Sequence, residues 1–268
     1  AMAWAVTGKS VIVTAVANEC GFDMHATKIY VGILLALCAA TTAGAQTLTA
    51  YTEEWAPYNF QDGRDVKGIA TDLLREACKT ARVNCKVEMV PWARGYKIVR
   101  NTPDTVLFTT ARKPEREDHF LWVGPVLSRS TWVFARPHPA DAAGTREFNK
   151  LRFGVVRGEA AYQDLLNAGV APASMVEDSS NASILRLLLS GVVDAMVDTE
   201  VAMAWALRSS SLDASTVIKH SKLADEGAYF YAFNLKSNPE VVGRLQAAID
   251  KLKRQGRLDA LVHRYTQP

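Results

Sequence analysis

The chain has 268 residues, with 31 basic and 28 acidic side chains and a formal net charge of +3. This length is enough for one large domain or two small ones. The charges are interspersed, and no segment alternates basic with aromatic residues, so nucleic acid is not expected as a partner.

Residues 24–45 have the pattern of a cleaved export signal. Lys28 supplies positive charge, residues 29–38 form an apolar run, and Ala43-Gly44-Ala45 is a small-residue cleavage site. The run is shorter than the roughly 20 residues that span a bilayer, which makes a membrane anchor the weaker alternative. We therefore expect a periplasmic protein that is cleaved near Ala45, with residues 1–23 as an extraneous or mis-started segment.

The mature chain begins with alternating strand and helix patterns. We predict a strand at 48–52, a helix with apolar residues at helical spacing from 69 to 81, and a strand at 86–90. A helix around 94–99 and strands at 105–109 and 120–123 follow. This order is typical of an α/β fold with a parallel sheet.

A second set of elements begins after the proline-rich stretch at 136–139. It contains a strand at 153–156, helices at 160–167 and 182–189, and a strand at 195–197. One more strand at 229–235 and a helical region at 241–265 complete the chain. The two sets indicate two lobes.

Cys78 and Cys85 form a close pair in what would be an oxidising compartment, so we expect a disulfide. The other two cysteines, Cys20 and Cys38, fall in the part expected to be removed. A zinc site would need further ligands, and no His or other Cys is near the pair in the sequence. We expect no metal and no cofactor.

Catalytic motifs are scarce in the sequence. There is no Gly-x-Ser-x-Gly elbow, no His-Glu-x-x-His and no glycine-rich phosphate loop. Among the mature histidines, His119, His138 and His220 occur in dissimilar contexts. We therefore expect a protein that is not an enzyme and has no catalytic residue.

Arginines follow two predicted strands. Arg112 and Arg116 come after the strand at 105–109, and Arg157 comes between the strand at 153–156 and a helix. The carboxyl ends of such strands face the ligand crevice of open α/β sheets, and Arg can bind a carboxylate through two hydrogen bonds. The alternative for Arg116 is a surface ion pair with Glu115 or Glu117.

Seven segments, in this order, resemble the bacterial extracellular solute-binding proteins of family 3, the polar amino-acid type: LTAYTEEWAPYNF, GIATDLLREA, PWARGY, VLFTTARKPEREDHFLWVGP, LRFGVVRGEAAY, VDAMVDTEVA and DKLKRQGRLDALVHRY. The resemblance implies a type II periplasmic-binding fold, in which two α/β lobes are joined by two hinge strands. The lobes would be residues 46–128 plus 230–268, and residues 129–229. The cysteine pair also matches a disulfide of the basic amino-acid members.

The resemblance also implies a ligand site. Arg116 falls at the arginine that binds the ligand carboxylate. The other implied ligand contacts are Trp55, Trp92, Thr109, Ala111, Arg157, Ala161 and Thr199, and weaker candidates are Thr52, Arg94, Arg112 and Asp198.

The positions at which this family holds the ligand ammonium with acids read Thr52 and Thr199 here. Glu53, Glu54 and Asp198 are adjacent to these two positions, but neighbours along a strand point to opposite faces, so they cannot simply replace the family's acids. With several arginines and few acids in the cleft, an organic anion or acidic amino acid is favoured over a basic amino acid.

The implied function is capture of a small amino acid or related carboxylate by hinge closure and its delivery to an inner-membrane ABC permease, by a protein that acts as a monomer. Two alternatives stay open. One is a ligand-sensing subunit that acts through a separate receptor. The other is a periplasmic dehydratase of cyclohexadienyl acids, in which Glu53, Glu54 or Glu159 would transfer a proton.

Overall fold

The computed structural model describes residues 47–138, 147–224 and 227–266. The predicted export signal, its cleavage site, Cys20 and Cys38 lie outside the described residues. The strands are β1 (Thr47–Thr52), β2 (Phe60–Asp62), β3 (Asp65–Lys67), β4 (Asn84–Met89), β5 (Thr105–Ala111), β6 (Leu121–Ser128), β7 (Thr131–Ala135), β8 (Phe153–Val156), β9 (Met175–Asp178), β10 (Ala195–Asp198), β11 (Ile218–Ala224) and β12 (Ala228–Phe233). The α-helices are α1 (Ile69–Ala81), α2 (Trp92–Asn101), α3 (Ala160–Asn167), α4 (Asn181–Ser190), α5 (Glu200–Ser209), α6 (Pro239–Arg254) and α7 (Arg257–Thr266).

Two five-stranded sheets define two lobes. The first lobe has the strand order β4-β1-β5-β12-β6, and the second has β11-β7-β10-β8-β9. The chain crosses from β6 to β7 through residues 129 and 130 and returns between β11 and β12. Two connections therefore join the lobes, which is the arrangement that a hinge requires.

The sheets are mixed, whereas the sequence predicted parallel ones. β1 pairs in parallel with β4 and β5, and β8 pairs in parallel with β9 and β10. β12 is antiparallel to β5 and β6, and β7 is antiparallel to β10 and β11. The antiparallel pairs arise because β6, β7, β11 and β12 flank the crossings, where the chain enters each sheet without a helical crossover.

Helix α1 follows the predicted periodicity. Ile69, Leu73, Leu74 and Ala77 are buried on the face that packs against the first sheet, and a buried leucine contributes about 2 kcal/mol. The helix ends at Arg82, whose φ of 55° is left-handed. The regular apolar stripe is therefore what fixes this helix on the sheet.

The predicted disulfide is confirmed. Cys78 in the last turn of α1 is bonded to Cys85 in β4, with a Cα–Cα distance of 6.1 Å. The bond closes a loop with a sequence separation of 7, so its entropic contribution is modest, about 2 kcal/mol. It fixes the end of the helix to the edge strand of the sheet.

Strand β5 lies in the centre of the first sheet, and all seven of its residues are buried. It continues two residues beyond the predicted end. Thr109 within it has a φ of +61°, which a β-branched residue rarely adopts. Its hydroxyl donates a hydrogen bond of 2.5 Å to Oδ1 of the buried Asn59. This contact stabilises the unusual backbone where β5 approaches the other lobe.

The C-terminal helical region is two helices rather than one. Gly256, with a φ of +68°, separates α6 from α7. Both helices pack against α1 through an apolar face that includes Leu245, Ile249 and Leu261. Across residues 47–138, 147–224 and 227–266, no helix is long and apolar enough to cross a membrane.

Candidate functional site

A cleft lies between the two lobes and has about 460 Å³ of empty space, counting the solvent at its mouth. Residues at or just beyond the carboxyl ends of β1, β5, β8 and β10 form its walls. The lining residues are Glu53, Trp55, Trp92, Thr109, Ala111, Arg116, Arg129, Thr131, Glu159, Ala160, Ala161, Asn181, Val197, Asp198 and Tyr229. Charged side chains from both lobes therefore meet in one space, as the strand-end rule predicts.

Arg116 is the central cation of the cleft. It lies in the 3₁₀ turn Pro114–His119 and is only 6% exposed. Its Nη2 donates to the carbonyl oxygen of Gly158 at 3.0 Å, and its guanidinium lies over the rings of Trp92 and Tyr96 at 5.6 and 5.7 Å. Nη1 makes a longer bond of 3.4 Å to the carbonyl of Ala111. Among the described residues Arg116 forms no ion pair, so its charge faces the cleft without a carboxylate partner.

Glu53 and Asp198 line the cleft, although strand alternation argued against their replacing the family's acids. Glu53 is 7% exposed and Asp198 is 6% exposed. The Nδ2 of Asn59 donates to the backbone oxygen of Glu53 at 2.7 Å and so fixes the turn that follows β1. Asp198 accepts hydrogen bonds from Nε1 of Trp55 at 3.0 Å and from its neighbour's backbone N–H at 2.7 Å. The cleft therefore contains more acids than the sequence predicted.

The third acid is Glu159, which immediately precedes α3. Its Oε1 is buried, and the residue lines the cleft together with Glu53. Burial and the neighbouring charge of Glu159 raise the pKa of Glu53 well above its usual value, while burial raises the pKa of Glu159. Both shifts favour the protonated form, because two buried negative charges in one cleft repel each other strongly.

Burial also raises the pKa of Asp198 to about 7. The hydrogen bonds from Trp55 and from the Thr199 N–H oppose that rise, because they stabilise the charged form. Asp198 therefore changes its charge near neutral pH.

An ion-pair network joins the two lobes and includes Arg129 of the cleft lining. The Nζ of Lys113 lies 2.6 Å from Oδ1 of Asp164, and the guanidinium of Arg129 contacts the other oxygen of the same carboxylate. Asp164 belongs to α3 in the second lobe, whereas Lys113 follows β5 in the first. Arg129 is thus held by a structural carboxylate, and Arg116 is left as the cation that faces a ligand.

A sequence profile of bacterial extracellular solute-binding proteins, family 3, matches residues 48–268. The chain belongs to this family. A comparison with curated protein sequences finds no match.

Solved structures share the fold of this solute-binding protein at low sequence identity. A histidine kinase sensor domain with similarity to periplasmic binding proteins has a TM-score of 0.72 and 18% identity, over 82% of this chain and 95% of that one. A Salmonella typhimurium periplasmic binding protein with high arginine specificity has a TM-score of 0.70 and 17% identity, over 83% and 100%. An ancestral amino acid-binding protein, a precursor of cyclohexadienyl dehydratase, has values of 0.67 and 18%, over 82% and 95%. These likenesses and the two mixed sheets establish the two-lobe type II periplasmic-binding fold.

Seven of the residues singled out from the sequence line the cleft: Trp55, Trp92, Thr109, Ala111, Arg116, Ala161 and Asp198. The structure places the other candidates elsewhere. Arg157 has a side chain that is 64% exposed and pairs with Glu177 at 3.4 Å. Arg112 donates to Glu117 at 2.8 Å on the surface, and Arg94 is also exposed and outside the lining.

The two threonines expected in the site are outside the cleft lining. The hydroxyl of Thr199 accepts from the Ala202 N–H as the N-cap of α5 and bonds to the hydroxyl of Tyr58 at 3.0 Å. Thr52 is fully buried in β1 and is outside the cleft lining.

Sequence reasoning did not assign Glu53, Arg129, Thr131, Asn181 or Tyr229 to the ligand site. Arg129 and Thr131 flank the first crossing between the lobes, where no local motif marks a site. Tyr229 belongs to β12, directly after the second crossing, and its local sequence is that of an ordinary apolar strand. A search for polar residues at the crossings would have found Arg129 and Thr131.

Proposed function

We propose that this protein is periplasmic and binds a small amino acid or related carboxylate in the cleft. The lobes close on the ligand, and the closed protein delivers it to an inner-membrane ABC permease. The observation that carries the proposal is Arg116. A buried guanidinium that is bonded only to backbone carbonyls and aromatic faces retains donors for a ligand carboxylate, and a charge-assisted hydrogen bond in such a site is strong.

The surroundings of Arg116 support an amino acid as the ligand. Asp198 and Glu53 supply acids from the two lobes, which suits the ammonium group of a molecule whose carboxylate binds Arg116. Trp55 and Trp92 supply apolar walls with one N–H each. Several of the solved structures with this fold are amino acid-binding proteins, which agrees with the proposal.

Two other functions use the same fold and are distinguished by experiment. One is a sensing role like that of the histidine kinase sensor domain with this fold. It predicts the same ligand binding, but the partner of the closed protein would be a receptor in place of the permease. A dehydratase role is favoured by the Glu53 and Glu159 carboxyls, since a protonated carboxyl could donate its proton to a departing hydroxyl group. Formation of an aromatic product from prephenate by the purified protein would support the dehydratase role.

The binding proposal is tested by a thermal-shift screen of amino acids and dicarboxylates on the purified protein, followed by calorimetric titration of the strongest hit. Arg116→Ala should weaken that ligand about 30-fold or more, since a charged hydrogen bond to a buried carboxylate is worth about 2 kcal/mol. Arg112→Ala is the matched control, because it removes an arginine four residues away that is paired on the surface. Equal affinity in the wild type and the Arg116 variant would exclude Arg116 from the site.

A further inference from the structure

A hinge triad of Lys113, Arg129 and Asp164 joins the two lobes. Lys113 follows β5 of the first lobe, Arg129 lies in the first crossing, and Asp164 belongs to α3 of the second lobe. The Nζ of Lys113 donates to Oδ1 of Asp164 at 2.6 Å, and the guanidinium of Arg129 contacts Oδ2. All three side chains are at most 12% exposed. One carboxylate of the second lobe therefore holds two cations that the first lobe and the first crossing supply.

The hinge triad is also bonded to the second crossing and to the start of α3. The backbone N–H of Arg129 donates to the carbonyl oxygen of Gly227, in the second crossing, at 3.2 Å. The Nζ of Lys113 makes a longer hydrogen bond of 3.4 Å to the carbonyl oxygen of Ala160, the first residue of α3. The placement of α3 against the first lobe therefore depends on these two cations.

Helix α3 is part of the ligand cleft, but two members of the hinge triad are not. Ala160 and Ala161, at the N-terminus of α3, line the cleft, and so does Arg129. Lys113 and Asp164 are outside that lining. Any effect of Lys113 or Asp164 on a ligand must therefore pass through the placement of α3 and Arg129.

The charges of the hinge triad balance only while Asp164 is ionised and in place. Removal of one partner from a buried ion pair leaves an unpaired charge, which costs more than the intact pair contributes. Without the carboxylate, Lys113 and Arg129 would be two like charges in a space from which most water is excluded. Separation of the lobes would relieve this repulsion, because water could then hydrate both cations.

We propose that Lys113 and Asp164 are positioning residues of the ligand site, which hold the lobes in the closed arrangement without touching the ligand. This inference rests on the proposed function, because it treats closure of the lobes on a solute as part of binding. The hinge triad forms after the solute has entered the open cleft, so it acts mainly on the dissociation rate. The affinity of the protein is thus set partly by charges outside the cleft.

The test measures binding to the purified protein by calorimetry and by stopped-flow tryptophan fluorescence. The probe is whichever of the standard L-amino acids, succinate or L-malate binds the wild type most tightly. Asp164→Asn keeps the size of the side chain and removes its charge, so it should weaken the probe about tenfold or more. The loss should come from faster dissociation, with the association rate changed less than about twofold. Lys113→Met should weaken the probe about threefold, also through dissociation.

The double variant distinguishes the hinge triad from a general effect on the fold. In Asp164→Asn the two remaining cations repel each other, so removal of one of them should help closure. Adding Lys113→Met to Asp164→Asn should therefore restore affinity about threefold relative to Asp164→Asn alone. General damage to the fold would instead make the double variant the weakest binder.

Glu76→Gln is the matched control. Glu76 in α1 accepts from Nε and Nη2 of Arg257 in α7, with its shortest contacts at 2.7 Å, and both residues belong to the first lobe. The substitution removes a carboxylate from an ion pair that does not join the lobes. The affinity and both rate constants of Glu76→Gln should therefore match those of the wild type.

The outcomes separate this inference from the proposed function. Wild-type affinity in Asp164→Asn, or weaker binding by the double variant than by Asp164→Asn, would overturn the positioning role and leave ligand binding intact. If Asp164→Asn does not fold, Lys113→Met decides, because an unchanged dissociation rate in that variant would equally overturn the role. Failure of every probe to bind the wild type would overturn the proposed function and this inference together.

Discussion

Asp198 couples the stability of the folded protein to pH. Its pKa is raised to about 7 in the folded state, mainly by burial, whereas the pKa of an aspartate in an unfolded chain is about 4. Between these values the folded state holds a proton that the unfolded state has lost. The contribution of Asp198 to stability is therefore present at low pH and is lost as the pH rises through about 7.

We predict that Asp198→Asn flattens this dependence. The free energy of unfolding of the ligand-free wild type, measured with urea from about pH 5 to about pH 8, should fall more than that of the variant, by roughly 2–4 kcal/mol. Asp259→Asn, at an exposed position of α7, is the matched control and should keep the wild-type slope. Parallel curves for the wild type and Asp198→Asn would contradict the assignment.

The same residue shows the limit of inferring side-chain direction from strand alternation. Alternation applies inside a strand, but Asp198 is the last residue of β10 and Thr199 is already the N-cap of α5. Likewise, β1 ends at Thr52, and the direction of Glu53 is fixed by the turn that Asn59 stabilises. Arg116 was predictable from the resemblance to the family and not from its place after a buried strand, since Arg112 follows the same strand and pairs with Glu117 on the surface. The acids depended on turns that no local pattern encodes.

Gly68 sets the entry into α1 and the position of the loop that carries Trp55. Its φ is +124°, and a Cβ atom there would lie 2.4 Å from the backbone oxygen of Tyr58. The same oxygen accepts from the Ala70 N–H at 2.9 Å, so the first turn of the helix is bound to the loop. The loop has no room to retreat without breaking that hydrogen bond.

Gly68→Ala should therefore lower the free energy of unfolding by about 3 kcal/mol or more, through strain and a backbone clash. Gly63→Ala is the control in the adjacent hairpin. Gly63 also has a positive φ, +61°, but a Cβ atom added there would meet no atom within 4 Å, so its cost should be only about 1 kcal/mol. Urea denaturation of both variants checks the difference, and equal losses would show that backbone strain alone determines the effect.

Elements with a strong apolar period were predictable, and elements without one were missed. Helix α1 and strands β1 and β8 lie within one residue of their predicted bounds. Helix α5 was not predicted because three of its ten residues are alanines and only three of its residues are buried. Strands β7 and β11 were not predicted because their pairing partners are distant in sequence. Their pairing depends on where the chain crosses between the lobes.

At the scale of the whole molecule, side chains join the two lobes around the cleft. Trp55 donates to Asp198, the Nε1 of Trp92 donates to the Gly158 carbonyl at 2.9 Å, and Lys113 pairs with Asp164. These contacts join the two lobes across the cleft, and the proposed opening of the hinge would break them. Their residues were partly foreseen from the resemblance, but their pairings required the relative placement of two sheets.

Ligand binding should shift this protein from an open form to the closed form through the two crossings. We predict that the radius of gyration from small-angle X-ray scattering falls when the ligand found in the amino-acid screen is added at saturation, and that the scattering curve then fits the closed arrangement. Trp55→Phe keeps an aromatic ring, although a smaller one, and removes the N–H bond to Asp198, so it should weaken ligand binding about fivefold to tenfold. Trp122→Phe removes an N–H bond within the first lobe and should leave both closure and affinity unchanged. Identical scattering with and without bound ligand would contradict hinge closure. The cross-lobe contacts would then form independently of the solute, and the selectivity of the cleft would come from a preformed site.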